Sequence, residues 1–395
     1  MPGIFPAEVP LLIISVPKEI TPGETRVATV PEVVGKLVKL GYTVQVQAGA
    51  GEASSIADSE FEQEGAKIIH DAAELYSSAD LLLSVQPPAD HPGAGKHELD
   101  MLKEGATFIG FFYSLYNFKM AGKAAGKKVN ILSMDAVPRI TKAQRMDALS
   151  SQTNIGGYRA VMLAAERLPK IFPLMMTAAG TIAPAKVVIM GAGVAGLQAI
   201  ATAKRLGAVV DVSDVRPAVK EQVESLGAKF IEVETEENME DEGGYAKEAS
   251  AEYLKKQQEV VRKHIVDADA VITTALVPGK KAPVLVTADM VKDMRTGSVV
   301  VDMAAGYGGN CELSEPDQTV VKEGVIIVGE TNLPAQAPVN ASDLYARNLL
   351  SLLQYLAKIK EGELFALDLE DEIVKGALIV KDGEVIHGPT KELLG

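Results

Sequence analysis

The sequence predicts an α/β protein built from two doubly wound parallel-sheet domains, the first of them completed by the C-terminal segment. Short aliphatic runs alternate with helical patterns from Leu11 to Leu132, and a second such series starts at Lys186. The tail carries a hairpin signal, Asp382-Gly383, outside that second series. A chain of 395 residues is also longer than one average domain.

The first series has strand candidates at Leu11–Val16, Thr43–Gln47, Asp80–Val85, Thr107–Phe111 and Val129–Leu132. Between the first two, Val33, Val34, Leu37, Val38 and Leu40 share one helical face, and Gly41 follows where a left-handed C-cap belongs. Gln144 to Leu168 contains no Pro and reads as a linking helix interrupted by Gly156-Gly157. The second series runs from Lys186 through Val209–Asp214, Lys229–Val233, Ala270–Thr274, Val299–Asp302 and Val325–Val328, the strand content of a complete Rossmann-like fold. After Pro338 a helix carries Leu344, Leu349, Leu350, Leu352, Leu353 and Leu356, and Leu378–Ile386 forms the hairpin. The expected division is 1–145 with 340–395 as a discontinuous N-terminal domain, and 146–339 as a dinucleotide-binding domain.

Composition works by exclusion. A net charge of -14 argues against nucleic acid as a partner, because phosphate affinity comes from clustered Lys and Arg. The single cysteine, Cys311, provides neither a disulfide framework nor a Cys-rich metal site. His70, His91, His97, His264 and His387 fall in no ligand spacing, so no metal is expected. There is no G-x-S-x-G elbow and no P-loop. The start, Met1 to Glu8, lacks the basic stretch of a secretory signal, and no apolar run approaches the ~20 residues that cross a bilayer. A cytoplasmic protein is expected, held by something else if it works at a membrane.

Val187 to Met190 lead directly into Gly191-Ala192-Gly193-Val194-Ala195-Gly196, and a helix-forming run follows. A bare G-x-G-x-x-G is weak evidence, but strand before and helix after supply the context its mechanism requires. Gly191 makes the tight turn, and Gly193 with Val194 brings backbone to a pyrophosphate at the helix start. Gly196 permits close helix–sheet packing. Asp214, at the end of the next strand, is placed to accept both ribose hydroxyls and to repel a 2′-phosphate, so NAD is expected over NADP. Val215 and Arg216 complete that edge. Arg216 reads as a surface arginine, although its charge is able to offset the repulsion. Thr274, Ala275 and Leu276 follow the fourth strand, and Gly308-Gly309-Asn310 the fifth, on the edge where open α/β sheets bind ligands.

The run from Arg139 to Gln152 is unusually polar for a junction between domains. Gln144, Asp147 and Ser150, three residues apart, are suited to hold a nicotinamide carboxamide and its ribose in a cleft. Ordinary capping at a solvated helix start accounts equally for the pattern. The acidic run Glu232 to Glu242, followed by Gly243-Gly244-Tyr245, is too polar for core. It is a plain solvated loop or a hinged flap over a cofactor.

Over nearly the whole chain these residues resemble the NAD(H)-binding component, domain I, of proton-translocating nicotinamide nucleotide transhydrogenase. The resemblance is carried by Lys18-Glu19, Glu24 to Ala28, Arg139 to Ser150, Met175 to Gly180, Gly191 to Arg205, Lys220 to Gly227 and Gly243 to Glu248. It implies that this chain binds NAD(H) and passes hydride directly to or from NADP(H) on a partner domain, while a membrane proton-channel subunit conducts protons. It further implies a homodimer in the bacterial cytoplasm, peripheral on the cytoplasmic face of the inner membrane through partner subunits. Family contacts to the nicotinamide carry over to Arg139, Gln144, Asp147 and Ser150, and Tyr245 matches the tyrosine of the mobile loop.

The same superfamily contains alanine dehydrogenase, the rival reading. There an Arg and a Lys hold the amino acid, and a His and an Asp assist proton transfer. Arg26 matches the first, but the other positions fall on Ser84, near Ser114, and on Gly306. Oxidising an amine needs a base that Ser and Gly do not supply at neutral pH, whereas exchange between two nicotinamides needs only close, aligned rings in a dry site. A third reading, an NAD-sensing module without catalysis, would share the cofactor motifs and not need the polar Arg139–Ser150 segment.

Overall fold

The computed structural model describes residues 12–232, 251–277, 279–360 and 363–395. The chain forms two compact units, one reaching to Gln152 and resuming at Ala335–Gly395, the other Thr153–Pro334.

The first unit is built on a sheet of eight strands. From edge to edge these are Glu384–Val385, Leu378–Lys381, Asn130–Ser133, Thr107–Gly110, Leu81–Leu83, Ile13–Val16, Thr43–Gln47 and Lys67–Ile69. The six from Asn130–Ser133 to Lys67–Ile69 run parallel. Leu81–Leu83, Thr107–Gly110 and Asn130–Ser133 are buried at every position, as parallel strands covered on both faces must be. The C-terminal hairpin turns at Asp382 (φ 49°) and Gly383 (φ 90°), the two left-handed positions a tight hairpin needs, and pairs antiparallel with Asn130–Ser133. The tail therefore completes the first sheet, as expected. One strand of this sheet lies outside the sequence pattern: Lys67–Ile69 is a three-residue edge with an exposed lysine, too short to show a period.

The helix Pro31–Leu40 ends at Gly41, whose φ of 104° is the expected left-handed cap. Its buried stripe is narrower than the periodicity predicts. Val33, Val34 and Leu37 are buried, while Val38 is exposed and Leu40 half-buried. Val38 lies beside Gly65, which has no side chain to cover it. In the helix Pro338–Leu356 the predicted leucines are buried except Leu344, which stays exposed.

The second unit holds a seven-stranded sheet. Lys229–Phe230, Val209–Ser213, Lys186–Met190, Ala270–Thr273, Val299–Asp302 and Val325–Val328 run parallel in that spatial order, the 3-2-1-4-5-6 arrangement of a dinucleotide fold. The seventh strand, Thr319–Lys322, is antiparallel and goes beyond the six strands expected. It is joined to its neighbour through Glu323 (φ 51°) and Gly324 (φ 78°), a hairpin turn whose only sequence mark is one glycine.

The linking segment also differs from expectation. A short 3-10 helix covers Thr141–Met146, Asp147 forms a joint, and one continuous helix runs over Ala148–Arg167. Gly156 and Gly157 do not interrupt it. A Cβ on Gly157 would lie 2.2 Å from the Ala195 carbonyl oxygen, and one on Gly156 would lie 3.1 Å from Met303 Cε. The glycines are there for close backbone approach, at a helix-propensity cost of about 1 kcal/mol each.

Gly157→Ala is therefore expected to lower the calorimetric unfolding midpoint, with an overpacking cost of ~1–3 kcal/mol. Gly126→Ala, in a helix where a Cβ meets nothing within 4 Å, serves as the control and should leave the midpoint unchanged or slightly raised.

Candidate functional site

The glycine-rich turn follows the strand Lys186–Met190 and opens the helix Val194–Arg205. Each glycine answers a different steric demand. Gly191 has φ 102°, and a Cβ there would sit 2.5 Å from Thr274 Oγ1. A Cβ on Gly196 would sit 1.8 Å from the Gly191 carbonyl oxygen, so helix and turn touch backbone to backbone. A Cβ on Gly193 would meet nothing within 4 Å. Open space thus lies over Gly193, at the positive end of a twelve-residue helix whose first N–H groups have no acceptor within the helix. These residues fit a pyrophosphate.

Asp214 follows the strand Val209–Ser213 and is buried. Its Oδ2 accepts from the Ala192 N–H (2.6 Å), which ties the carboxylate to the glycine-rich turn. Arg216, expected at the surface, is instead buried and forms an ion pair with Asp214. Its N–H and Nε donate to Oδ1 (2.8 and 3.0 Å) and its Nη2 donates to Oδ2 (3.0 Å). The separation of two residues lets backbone and side chain grip one carboxylate together, an option a reading of charge alone does not reveal. Val215 between them is half-buried.

The loop after Ala270–Thr273 is braced from both sides. Thr274 Oγ1 donates to the Met190 and Gly191 carbonyls (both 3.2 Å). Asn310, fully buried, accepts from the Ala275 N–H (3.0 Å) and donates to the Ala275 carbonyl (2.9 Å). The chain just beyond Asn310 is held by Asp302, whose Oδ2 takes the Cys311 N–H (2.9 Å) and Ser314 Oγ (2.6 Å). Thr274, Ala275 and Leu276 are half-buried. The Gly308-Gly309-Asn310 turn is visible in the sequence as a strand-end motif, but its clamp on Ala275 is not.

In the first unit, Asp147 Oδ1 accepts the Ser150 N–H (2.8 Å) and Oδ2 accepts Ser150 Oγ (2.6 Å), capping the helix Ala148–Arg167. Arg139 joins them, with Nη2 3.4 Å from Ser150 Oγ and Nε 3.8 Å from Asp147 Oδ2. Gln144 is exposed, and its carbonyl accepts the Asp147 N–H at 3.4 Å. Two buried side chains fix this joint from outside it. Asn348 Nδ2 donates to the Arg145 carbonyl (2.9 Å) while its Oδ1 accepts from Ser151 Oγ (2.7 Å). Gln152 accepts from Arg26 Nη1 (2.9 Å) and donates to the Ala341 carbonyl (3.0 Å). Asn348, Arg26 and Ala341 are far away in sequence from the joint, so this pairing leaves no local signal. Tyr245 lies outside the described residues.

Arg26 also belongs to a buried pair with Glu24, in which Nε and Nη2 reach the two carboxylate oxygens at 2.8 and 2.6 Å. Burial pushes Glu24 up, but the Arg26 hydrogen bonds and charge outweigh it, with help from Gln86, and hold the carboxyl down at about 2. Among the described residues no cation forms an ion pair with Glu19. Burial, then the charge of Glu24, raise it to about 8, against the pull of the Val85 N–H and the Ser84 hydroxyl. Among the described residues no group of His, Cys, Asp and Glu is arranged to hold a metal ion.

Comparison with known proteins agrees across both units. The alanine dehydrogenase/PNT N-terminal domain matches residues 15–156, and the alanine dehydrogenase/PNT C-terminal domain matches residues 160–388. The chain is 50% identical over 376 residues to the first part of the NAD(P) transhydrogenase alpha subunit of Rhodospirillum rubrum, covering 95% of this chain and 97% of that one. Its structure is similar to that of a transhydrogenase from Sinorhizobium meliloti, with a TM-score of 0.83 and 44% identity over 94% of this chain and 99% of the other. It is also similar to an L-alanine dehydrogenase, with a TM-score of 0.79 and 26% identity over 97% and 99%.

The two buried carboxyls make stability depend on pH in opposite senses. Glu24, lowered from 4.5, contributes stability above that value which is lost as pH falls towards 2. Glu19, raised from 4.5 to about 8, keeps its proton in the fold while the unfolded chain releases it, so stability present below 4.5 is lost as pH rises to 8. Glu19→Gln is expected to flatten that upper decline and to gain more than ~1 kcal/mol at pH 8 relative to pH 5, by urea unfolding at both values.

Proposed function

This chain belongs to the alanine dehydrogenase/PNT family of oxidoreductases, and within it we propose the NAD(H)-binding catalytic subunit of a proton-translocating transhydrogenase. The identity to transhydrogenase alpha subunits supports a transhydrogenase role. The proposal adds that hydride passes directly between NAD(H) on this chain and NADP(H) on a partner subunit, with a membrane proton-channel subunit completing the complex.

The observation that carries this over the dehydrogenase reading is the state of the groups around Arg26. Glu24 is held ionised by Arg26, Glu19 keeps its proton at neutral pH, and Ser84 commits its hydroxyl to Glu19. Ser114 is buried and takes no proton at that pH. None of these groups serves as a base for an amine.

Bound NAD(H) supplies the hydride chemistry; the chain's own residues bind, orient and exclude water. The Gly191–Gly196 turn, with Val194 at the helix start, takes the pyrophosphate, while Asp214, Val215 and Arg216 form the ribose edge. Thr274, Ala275 and Leu276 form the opposite wall. Arg139, Gln144, Asp147 and Ser150 orient the nicotinamide. The homodimer is supported by an exposed apolar hairpin, Met175–Thr177 with Gly180–Ile182, where Met176 is 76% exposed. No described helix is long and apolar enough to cross a membrane, and a peripheral position on the cytoplasmic face of a bacterial inner membrane, through the partner subunits, is proposed.

Gln144→Asn tests the orienting role. Mixed with a transhydrogenase NADP(H)-binding domain, it should bind NADH nearly as before yet lose up to ~100-fold in hydride-transfer rate, since a misplacement of ~1 Å has that effect. Weaker NADH binding at unchanged saturated rate would reject the role. The isolated chain should also give no NADH from NAD and L-alanine above a no-enzyme control, and steady production would restore the dehydrogenase reading.

A further inference from the structure

The carboxylate assigned to the ribose is already saturated by the chain itself. Asp214 Oδ1 accepts from the N–H and Nε of Arg216, and Oδ2 accepts from the Ala192 N–H and Arg216 Nη2, all between 2.6 and 3.0 Å. An ionised carboxylate offers about four acceptor positions, so a diol finds none open. Two of the four donors are backbone groups fixed by the fold. The other two belong to the Arg216 side chain, one on each oxygen, which is also how two neighbouring hydroxyls address a carboxylate.

We propose that the Arg216 guanidinium is a built-in stand-in for the ribose diol at Asp214, displaced when NAD(H) binds, and is thereby a specificity-determining residue. The proposal rests on the reading of Asp214 as the ribose acceptor. The diol gains its contacts only by breaking a charge-assisted bidentate pair, so the hydroxyls add little net affinity. Weak net binding suits a subunit that must exchange its nicotinamide at every turnover. The displaced guanidinium remains tethered two residues from Asp214, beside the ribose, where a 2′-phosphate would pair with it. Asp214 and Arg216 thus pull cofactor choice in opposite directions.

The same local device occurs at Glu24-Thr25-Arg26. There too the arginine N–H and Nε share one carboxylate oxygen (2.9 and 2.8 Å) and Nη2 takes the other (2.6 Å). In that copy Gln86 and Gln152 hold the two partners from outside, at 2.6 and 2.9 Å. In the second copy the carboxylate is anchored by the Ala192 N–H of the glycine-rich turn, so the Asp214 clamp stands at the proposed ligand edge itself.

The test is calorimetric titration of the full chain with NADH, its 2′-deoxy analogue and NADPH. In the unmodified protein the two NADH forms should differ in affinity by no more than about threefold. In Arg216→Gln the preference for the intact diol should widen about tenfold, and NADPH should weaken. Arg216→Lys keeps the charge without the fork, so it should widen the diol preference while retaining NADPH binding. An unchanged or smaller diol preference in both variants overturns the proposal. Asp214→Asn in the Arg216→Gln background separates the underlying reading. Loss of the diol preference there upholds Asp214 as ribose acceptor whatever Arg216 does, and its persistence removes the ribose reading and the proposal with it.

Discussion

Backbone meeting backbone at the glycine-rich turn is the constraint on which the second unit depends. Added Cβ atoms would lie 1.8 Å from the Gly191 oxygen at Gly196, 2.2 Å from the Ala195 oxygen at Gly157, and 2.5 Å from Thr274 Oγ1 at Gly191. Three segments, the turn, the linking helix and the loop after the fourth strand, are thus closed to side chains at one place. Of the three glycines in the turn, Gly193 faces open space, so the packing that removes room elsewhere leaves it over the start of the helix. Rigidity of the turn and access to its N–H groups have the same steric origin.

Fixed polar side chains finish what the glycines begin. Asp214 ties the turn to the second strand, Thr274 ties the fourth-strand loop to the turn, and Asn310 ties that loop to the segment after the fifth strand. Each bond joins the carboxyl ends of neighbouring strands, the edge of an open α/β sheet where ligands bind. In the first unit Asn348 and Gln152 do comparable work, holding the chain on both sides of Asp147. Buried amides suit this task because one side chain both donates and accepts without the desolvation cost of a charge.

Much of this is legible in the sequence, and the departures share a cause. The G-x-G-x-x-G turn, the C-cap at Gly41 and the hairpin at Asp382-Gly383 announce themselves because each needs a backbone conformation or close approach that few residues supply. Gly156-Gly157 reads as a helix break because helix propensity sees the local entropy cost and not the Ala195 carbonyl lying against the helix. Arg216 reads as a surface residue because solubility is its default, yet a carboxylate two residues away gives it a buried partner. Val38 falls out of the core because periodicity cannot know that its neighbour is Gly65. Asn310, Asn348 and Gln152 act through partners remote in sequence or in other elements, and single-residue chemistry carries no trace of such pairing.

The two acid-x-Arg clamps show how one local geometry takes different meanings from its surroundings. A carboxylate two residues before an arginine satisfies the backbone N–H and the guanidinium together, so it forms wherever the chain is extended there and the pair is sheltered from water. At Glu24 and Arg26 the shelter is complete, with side-chain exposures of 0% and 4%, and neighbouring glutamines hold both partners. Glu19, buried beside this pair, keeps its proton because of its own burial and then the charge of Glu24. At Asp214 and Arg216 the glycine-rich turn supplies one backbone contact, the Arg216 N–H supplies a second, and the Arg216 side chain supplies the other two. The two clamps therefore differ in what holds the carboxylate besides the arginine: the Ala192 N–H of the turn at Asp214, and the Thr25 N–H with the half-buried Gln86 side chain at Glu24.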